Sequence, residues 1–196
     1  MGKGTMRKEQ AMKTRLTILE AALSLFKERD VDSVKVTDIC AAAGVSVGAF
    51  YHHFPSKENI IERCYESIDT YILAQMGNIE YNSFSEQLLV FLKTANRVME
   101  EEIGSGFIGS VYKYLLSSGS KCMVSANREP YMIMEDLLQK GVESGEFKSI
   151  PDVPAAASTL IRIVRGLTFD WCISEGDYSL TDEVQKTVSL VLKEYR

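Results

Sequence analysis

The sequence predicts an all-α protein of about nine helices, in which a three-helix head carrying a helix-turn-helix precedes a larger helical body. Two observations give the fold class. Apolar residues recur three and four apart along almost the whole chain, with no sustained alternation of β-branched residues. Only four prolines, Pro55, Pro130, Pro151 and Pro154, interrupt 196 residues, so long helices are free to run between them. A third observation, charge, divides the chain. Residues 1–57 carry nine Lys and Arg against six Asp and Glu, a net of +3, whereas residues 58–196 carry 13 against 21, a net of −8. A small basic segment on an acidic remainder suits a head that meets a polyanion, and it places a domain boundary between residues 57 and 58.

The elements follow in order. After a loose basic leader, Leu16, Leu19, Ala22, Leu23 and Phe26 form one apolar stripe on a first helix ending near Arg29 and Asp30. Thr37 is the candidate N-cap of a short second helix with Ile39, Cys40 and Ala43 inward, and Gly44 stands where a left-handed C-cap belongs. Ser46 caps a third short helix through Phe54, and Pro55-Ser56 breaks it before a fourth opens at Lys57. That helix carries Ile60, Ile61, Cys64, Tyr65, Ile68, Tyr71 and Ile72 and is expected to reach Gly77. Ser83 to Glu86 read as a capping box ahead of Leu88, Leu89, Phe91, Leu92, Ala95 and Val98. Three acids at 100–102 and the glycines Gly104, Gly106 and Gly109 mark a break or soft start before a helix over 111–116. Asn127 is the candidate cap of a helix through Met134, Leu137, Leu138 and Val142, closed at Gly145. Asp152 caps a long segment over 154–173, and a last helix covers 181–194.

Several function classes drop out. Cys40, Cys64, Cys122 and Cys172 form no C-x-x-C, and no secretory segment precedes them, so a reduced, cytoplasmic chain without bound metal or cofactor is expected. His52 and His53 are adjacent, so on a helix they diverge by about 100° and cannot chelate one ion together. No apolar run approaches the roughly 18 residues of a membrane span. An enzyme would need His52 or His53 as base for Ser46 or Cys40, but the segment has no strained elbow or oxyanion loop. Gly104 and Gly106 lack a preceding strand and a third glycine, so no phosphate loop is read there.

The chemistry lies in residues 36–54, a short apolar-faced helix, a glycine turn and a second short helix. In such a motif the second helix enters the DNA major groove with its N-terminal residues facing base edges. At about 100° per residue, Phe50 and Phe54 share one face, which leaves Gly48, Ala49 and His52 outward with Tyr51 and His53 on the flanks. Ser46 and Val47 enter first. The small Gly48 and Ala49 admit close approach, and an alanine methyl suits a thymine methyl. The hydroxyls of Thr37 and Tyr51 and the ammonium of Lys57 suit phosphate, which fixes register. Arg7, Lys8, Lys13 and Arg15 of the leader are candidates for further backbone or minor-groove contacts.

These residues resemble a known family. Gly44-Val45-Ser46, Phe50-Tyr51-His52-His53-Phe54 and Pro55-Ser56-Lys57-Glu58 are similar to the signature of TetR/AcrR transcriptional regulators, and with the first-helix stripe the resemblance spans residues 12–65. It implies Thr37, Ser46, Val47, Ala49, Tyr51, His52 and Lys57 as the DNA-facing set. It also implies a body that binds a small effector and dimerises through its last two helices. Gly48 departs from the pattern, since many members carry a bulkier residue or proline there. Two heads in a dimer would present their third helices to grooves ~34 Å apart or a multiple of it, on a near-palindromic operator.

Candidate effector-pocket residues in the body are Tyr71, Phe91, Tyr112, Met134, Arg162, Arg165 and Trp171. Each aromatic has a plain alternative as core, and the two arginines as partners of body acids or as residues of a dimer seam. The reading is a ligand-responsive repressor. The alternatives are a corepressor-dependent regulator or activator with the same head, and a helical small-molecule-binding or scaffold protein without DNA binding.

Overall fold

The computed structural model describes residues 3–76, 81–125 and 128–196, and the regular structure among them is helical throughout. The helices are α1 (Lys3–Glu28), α2 (Val36–Ala43), α3 (Val47–His53), α4 (Lys57–Gln75), α5 (Phe84–Val98), α6 (Ser105–Ser118), α7 (Glu129–Glu143), α8 (Val153–Ile173) and α9 (Leu180–Tyr195). A π-helical turn over Met99–Ile103 and a 3-10 turn over Cys122–Val124 supplement them. Two compact units divide the chain, Met1–Ile68 and Asp69–Arg196, so the division falls inside α4 rather than at its first residue.

In the first unit α1 is already helical at Lys3, and the expected loose leader is part of it. The reason is plain in the chain: from Thr5 to Glu28 there is neither glycine nor proline to stop a helix. The buried line of α1 is Ile18, Ala22 and Phe26, while Leu16 is half exposed, so the apolar stripe is rotated from the expected one and shares Ala22 and Phe26 with it. The second helix is capped differently from expectation. Lys35 is its N-cap, and the Asp38 carboxylate accepts the Lys35 N–H at 2.9 Å, which puts Thr37 inside the first turn rather than at the cap. Gly44 closes α2 with φ 66, a left-handed conformation that a side chain would resist.

In the second unit α5 packs on α7 and α9, and α8 packs on α6, α7 and α9. Two glutamates tie distant helix starts together. Glu146 accepts the N–H groups of Phe84 at 2.8 Å and Ser85 at 3.1 Å, at the opening of α5. Glu100 accepts those of Leu180 at 2.8 Å and Thr181 at 2.9 Å, at the opening of α9. Each carboxylate satisfies amides that a helix start leaves unpaired and sits at the favourable end of the dipole. The expected break falls at Gly104: α5 runs on through the three acids in the π turn, and Gly104, with φ 88, redirects the chain into α6, which begins at Ser105 instead of 111. At α5 the Ser83 hydroxyl caps Glu86, but the Glu86 carboxylate returns to the N–H of Asn82 rather than of Ser83. Asp152 caps α8 through Ala155 and Ser179 caps α9 through Asp182. The expected roles of Gly77 and Asn127 lie outside the described residues. Among the described residues no helix is long and apolar enough to cross a membrane.

Candidate nucleic-acid interface

The third helix has seven residues, too few to persist alone, so its neighbours must hold it. Phe50 and Phe54, both fully buried, do so, with ring centroids 5.8 Å apart. The Ser46 hydroxyl accepts the Ala49 N–H at 3.1 Å and fixes the start of the helix. With the phenylalanines inward, the opposite side is presented to solvent: Val47 is 42% and Tyr51 51% exposed, Gly48 and His52 are exposed, and Ala49 is half-buried. Tyr51 lies edge-on against Phe50 at 5.3 Å, which braces its phenol at the border of this face.

Thr37 is exposed, and because Asp38 supplies the α2 cap, capping does not occupy its hydroxyl. The Lys57 ammonium donates to the carbonyl of Val31 and, at 3.3 Å, to that of Asp32, so two of its three donors hold the α1–α2 connection. Of the seven expected DNA-facing residues, Ser46, Val47, Ala49, Tyr51 and His52 thus belong to the outer side or opening of α3. Thr37 lies on α2, and Lys57 is turned toward the preceding loop. Arg15 joins the end of α3: its Nη1 donates to the His53 carbonyl at 3.2 Å and its guanidinium carbon stands 4.8 Å over the Phe54 ring. Burial first, then the charges of His52 and Arg15, hold the His53 imidazole below its usual pKa. Cys40 is buried and its thiol pKa is pushed up by that burial, which makes it a poor nucleophile. Among the described residues no group of three or more His, Cys, Asp or Glu could hold a metal ion.

The expected pocket residues of the second unit scatter. Phe91, Met134 and Trp171 are buried, and the Trp171 Nε1 donates to the Tyr178 carbonyl at 3.0 Å. Tyr71 is exposed, and its phenol pKa is raised by a hydrogen bond to Glu102. Arg162 is exposed, whereas Arg165 donates to the Met123 carbonyl at 3.0 Å and offers its own carbonyl to the Tyr112 hydroxyl at 3.1 Å. Tyr112 meets Phe169 edge-to-face at 5.5 Å in an open groove of about 550 Å³ between α6 and α8, lined also by Lys113, Leu116, Cys172 and Ile173. What sequence reasoning missed is the ion pair of Asp69 with Arg128. Arg128 Nε and Nη2 reach the Asp69 carboxylate at 2.9 and 2.6 Å, with side-chain exposures of 17% and 8% for Arg128 and Asp69. A signal existed: Asp69 is a lone acid in the line Tyr65, Ile68, Ile72, on the buried side of α4.

Comparison with known proteins bears on both units. The family model for bacterial regulatory proteins of the tetR family matches residues 18–64. The transcriptional regulator AcrR of Shigella flexneri is 23% identical over 202 residues, which cover 96% of this chain and 92% of the relative. A TetR-family regulator from Pectobacterium atrosepticum superposes with a TM-score of 0.76 at 21% identity, over 95% of this chain and 96% of that one. FadR of Bacillus subtilis, solved with stearoyl-CoA, superposes with a TM-score of 0.64 at 18% identity, over 90% and 97%.

Proposed function

The chain belongs to the TetR/AcrR family of transcriptional regulators, and from that premise we propose a homodimeric repressor that holds a near-palindromic operator until a small-molecule effector releases it. Membership makes it a DNA-binding regulator and not an enzyme. The observation that carries the reading is the division of α3 into a buried phenylalanine side and an exposed side of small and polar residues. In the proposed complex Ser46, Val47 and Ala49 enter the major groove first, His52 follows, and Thr37, Tyr51 and the remaining donor of Lys57 take phosphates. A negative body keeps the rest of the molecule off the duplex, in the cytoplasm where the operator lies.

Support for a dimer through the last two helices comes from exposed apolar side chains there, Phe169 and Ile173 on α8 and Leu190 on α9. Arg162 and Gly166 lie on the same exposed line of α8 as Phe169 and Ile173, at spacings of four, three and four, which suits Arg162 to a subunit seam better than to an effector. The effector is proposed to lie among α4 to α8 and to act through α4, the helix shared by both units. A small molecule can switch the protein only if it binds the released state more tightly than the operator-bound one. That FadR is solved with stearoyl-CoA supports an effector site in this architecture, without fixing its chemistry in this chain.

The test is selection of random duplex DNA by the purified protein, followed by sequencing. A near-palindrome with half-sites about 34 Å apart, or a multiple, is expected. Recovery of unenriched sequence would contradict the operator reading.

A further inference from the structure

The N-terminal half of α1 continues the register of its core-facing side after the core has ended. Counting back from Phe26, the buried line is Ala22 and Ile18, and the same line then runs through Arg15, Ala11 and Arg7. At about 100° per residue Lys8 joins it, so that Arg7, Lys8, Ala11 and Arg15 share one arc of about 100° with Ile18, Ala22 and Phe26. Along this arc the chemistry changes from apolar to cationic. Arg7, Lys8 and Ala11 are exposed, so the arc is not buried along this length of helix. Lys13 falls on the far side of the helix from Arg15, with the exposed Met12 and Leu16 also turned away from the arc's centre.

The position of the arc is fixed at one end. Arg15 donates to the carbonyl of His53, the last residue of α3, and covers the Phe54 ring. Arg7 lies eight residues earlier, about 12 Å farther along the axis at 1.5 Å per residue. That length corresponds to roughly three to four base-pair steps of 3.4 Å. The helix is also poor on electrostatic grounds: its first turn holds no acid, and residues 3–16 carry five basic side chains against Glu9 alone. Positive charge at a helix N-terminus opposes the macrodipole, and a polyanion along the arc relieves that opposition.

We infer that the N-terminal half of α1 is a second DNA-contacting arm, in which Arg7 and Lys8 take phosphates of the duplex flanking each half-site, beyond the reach of α3. The inference rests on the operator reading given above. Phosphate contacts carry no base preference, so the arm adds affinity and salt dependence while leaving sequence choice to α3.

The test uses the full chain and a duplex recovered by selection, in one form with about 10 base pairs of flank on each side and in another trimmed to the half-sites. Binding is titrated across a salt series for the wild type, for Arg7→Gln with Lys8→Gln, for Arg7→Lys with Lys8→Arg, and, as a single-charge control, for Lys193→Gln, an exposed lysine of α9. Circular dichroism follows helix content. On the long duplex, removing both charges is expected to lower the slope of log affinity against log salt by about two units per protomer, with the charge-preserving pair and Lys193→Gln close to wild type. On the trimmed duplex the variants are expected to agree with the wild type. Selective binding with an unchanged slope on the long duplex would overturn the arm alone. Equal loss on both duplexes would overturn its placement on the flanks. A wild type that selects no duplex would overturn both the arm and the operator reading beneath it.

Discussion

The two units handle charge by opposite rules. In Met1–Ile68 the core behind α3 is built of apolar rings, and the charged groups stay at the margin, with Lys57 and Arg15 donating to backbone carbonyls. In Asp69–Arg196 charges are taken inward: Asp69 with Arg128, Glu146 at the start of α5 and Glu100 at the start of α9. The difference teaches what each unit has to hold. A seven-residue helix needs a stiff apolar backing to hold its exposed outer face in place. A bundle of longer helices needs directional pins that fix which helix start meets which neighbour.

The sharpest way to break the comparison is to remove the backing. Phe50→Ala is expected to cost about 3–5 kcal/mol of stability, read by denaturant unfolding, because a fully buried ring leaves a cavity under a helix with little else to hold it. In the body, Asp69→Asn is expected to cost about 3 kcal/mol, since it takes the charge of Asp69 away from the part-buried Arg128 guanidinium. The double change Asp69→Leu with Arg128→Met should recover most of that loss, and a double variant as unstable as the single one would show that the pair does more than neutralise itself.

A smaller effect is expected from acid. Burial works to raise the Glu146 carboxyl, but the Ser85 hydroxyl, the Phe84 and Ser85 amides and Arg196 outweigh it and hold its pKa below the usual 4.5. A carboxyl lowered in the folded state contributes stability that is fully present above its unfolded value and is lost as pH falls through the folded one. Glu146→Gln should therefore lower the thermal midpoint near neutral pH, by about 1–3 kcal/mol in stability, and the gap from wild type should close below pH 4.5. The smallest effect has the opposite sign. A methyl at Gly48 would meet only the Ser46 hydroxyl, at 3.9 Å, so Gly48→Ala should stabilise the head by about 0.5–1 kcal/mol while altering operator preference.

The head was largely legible because its signals are local. Gly44, Ser46 and the pair Phe50 and Phe54 lie within a few residues of one another, and periodicity alone assigns their sides. Where local reading erred, the cause was a neighbour with a longer reach, as when the Asp38 carboxylate took the cap expected of Thr37. The body was legible as helices but not as a site. Asp69 and Arg128 are 59 residues apart and Glu100 and Leu180 are 80 apart, and nothing in either segment names its partner. The expected pocket aromatics divided into core, as for Phe91 and Trp171, and surface, as for Tyr71, because an apolar helical stripe looks the same in both settings.

The central claim is that the outer side of α3 reads DNA while its inner side only holds the helix. Ala49→Asp tests it most directly, by adding a negative charge to the half-exposed side behind an intact Phe50 and Phe54. Titration of the selected operator at physiological salt, beside far-ultraviolet circular dichroism, should show operator binding lost with helix content unchanged. Operator affinity equal to wild type would contradict the account, because the third helix would then not lie in the groove.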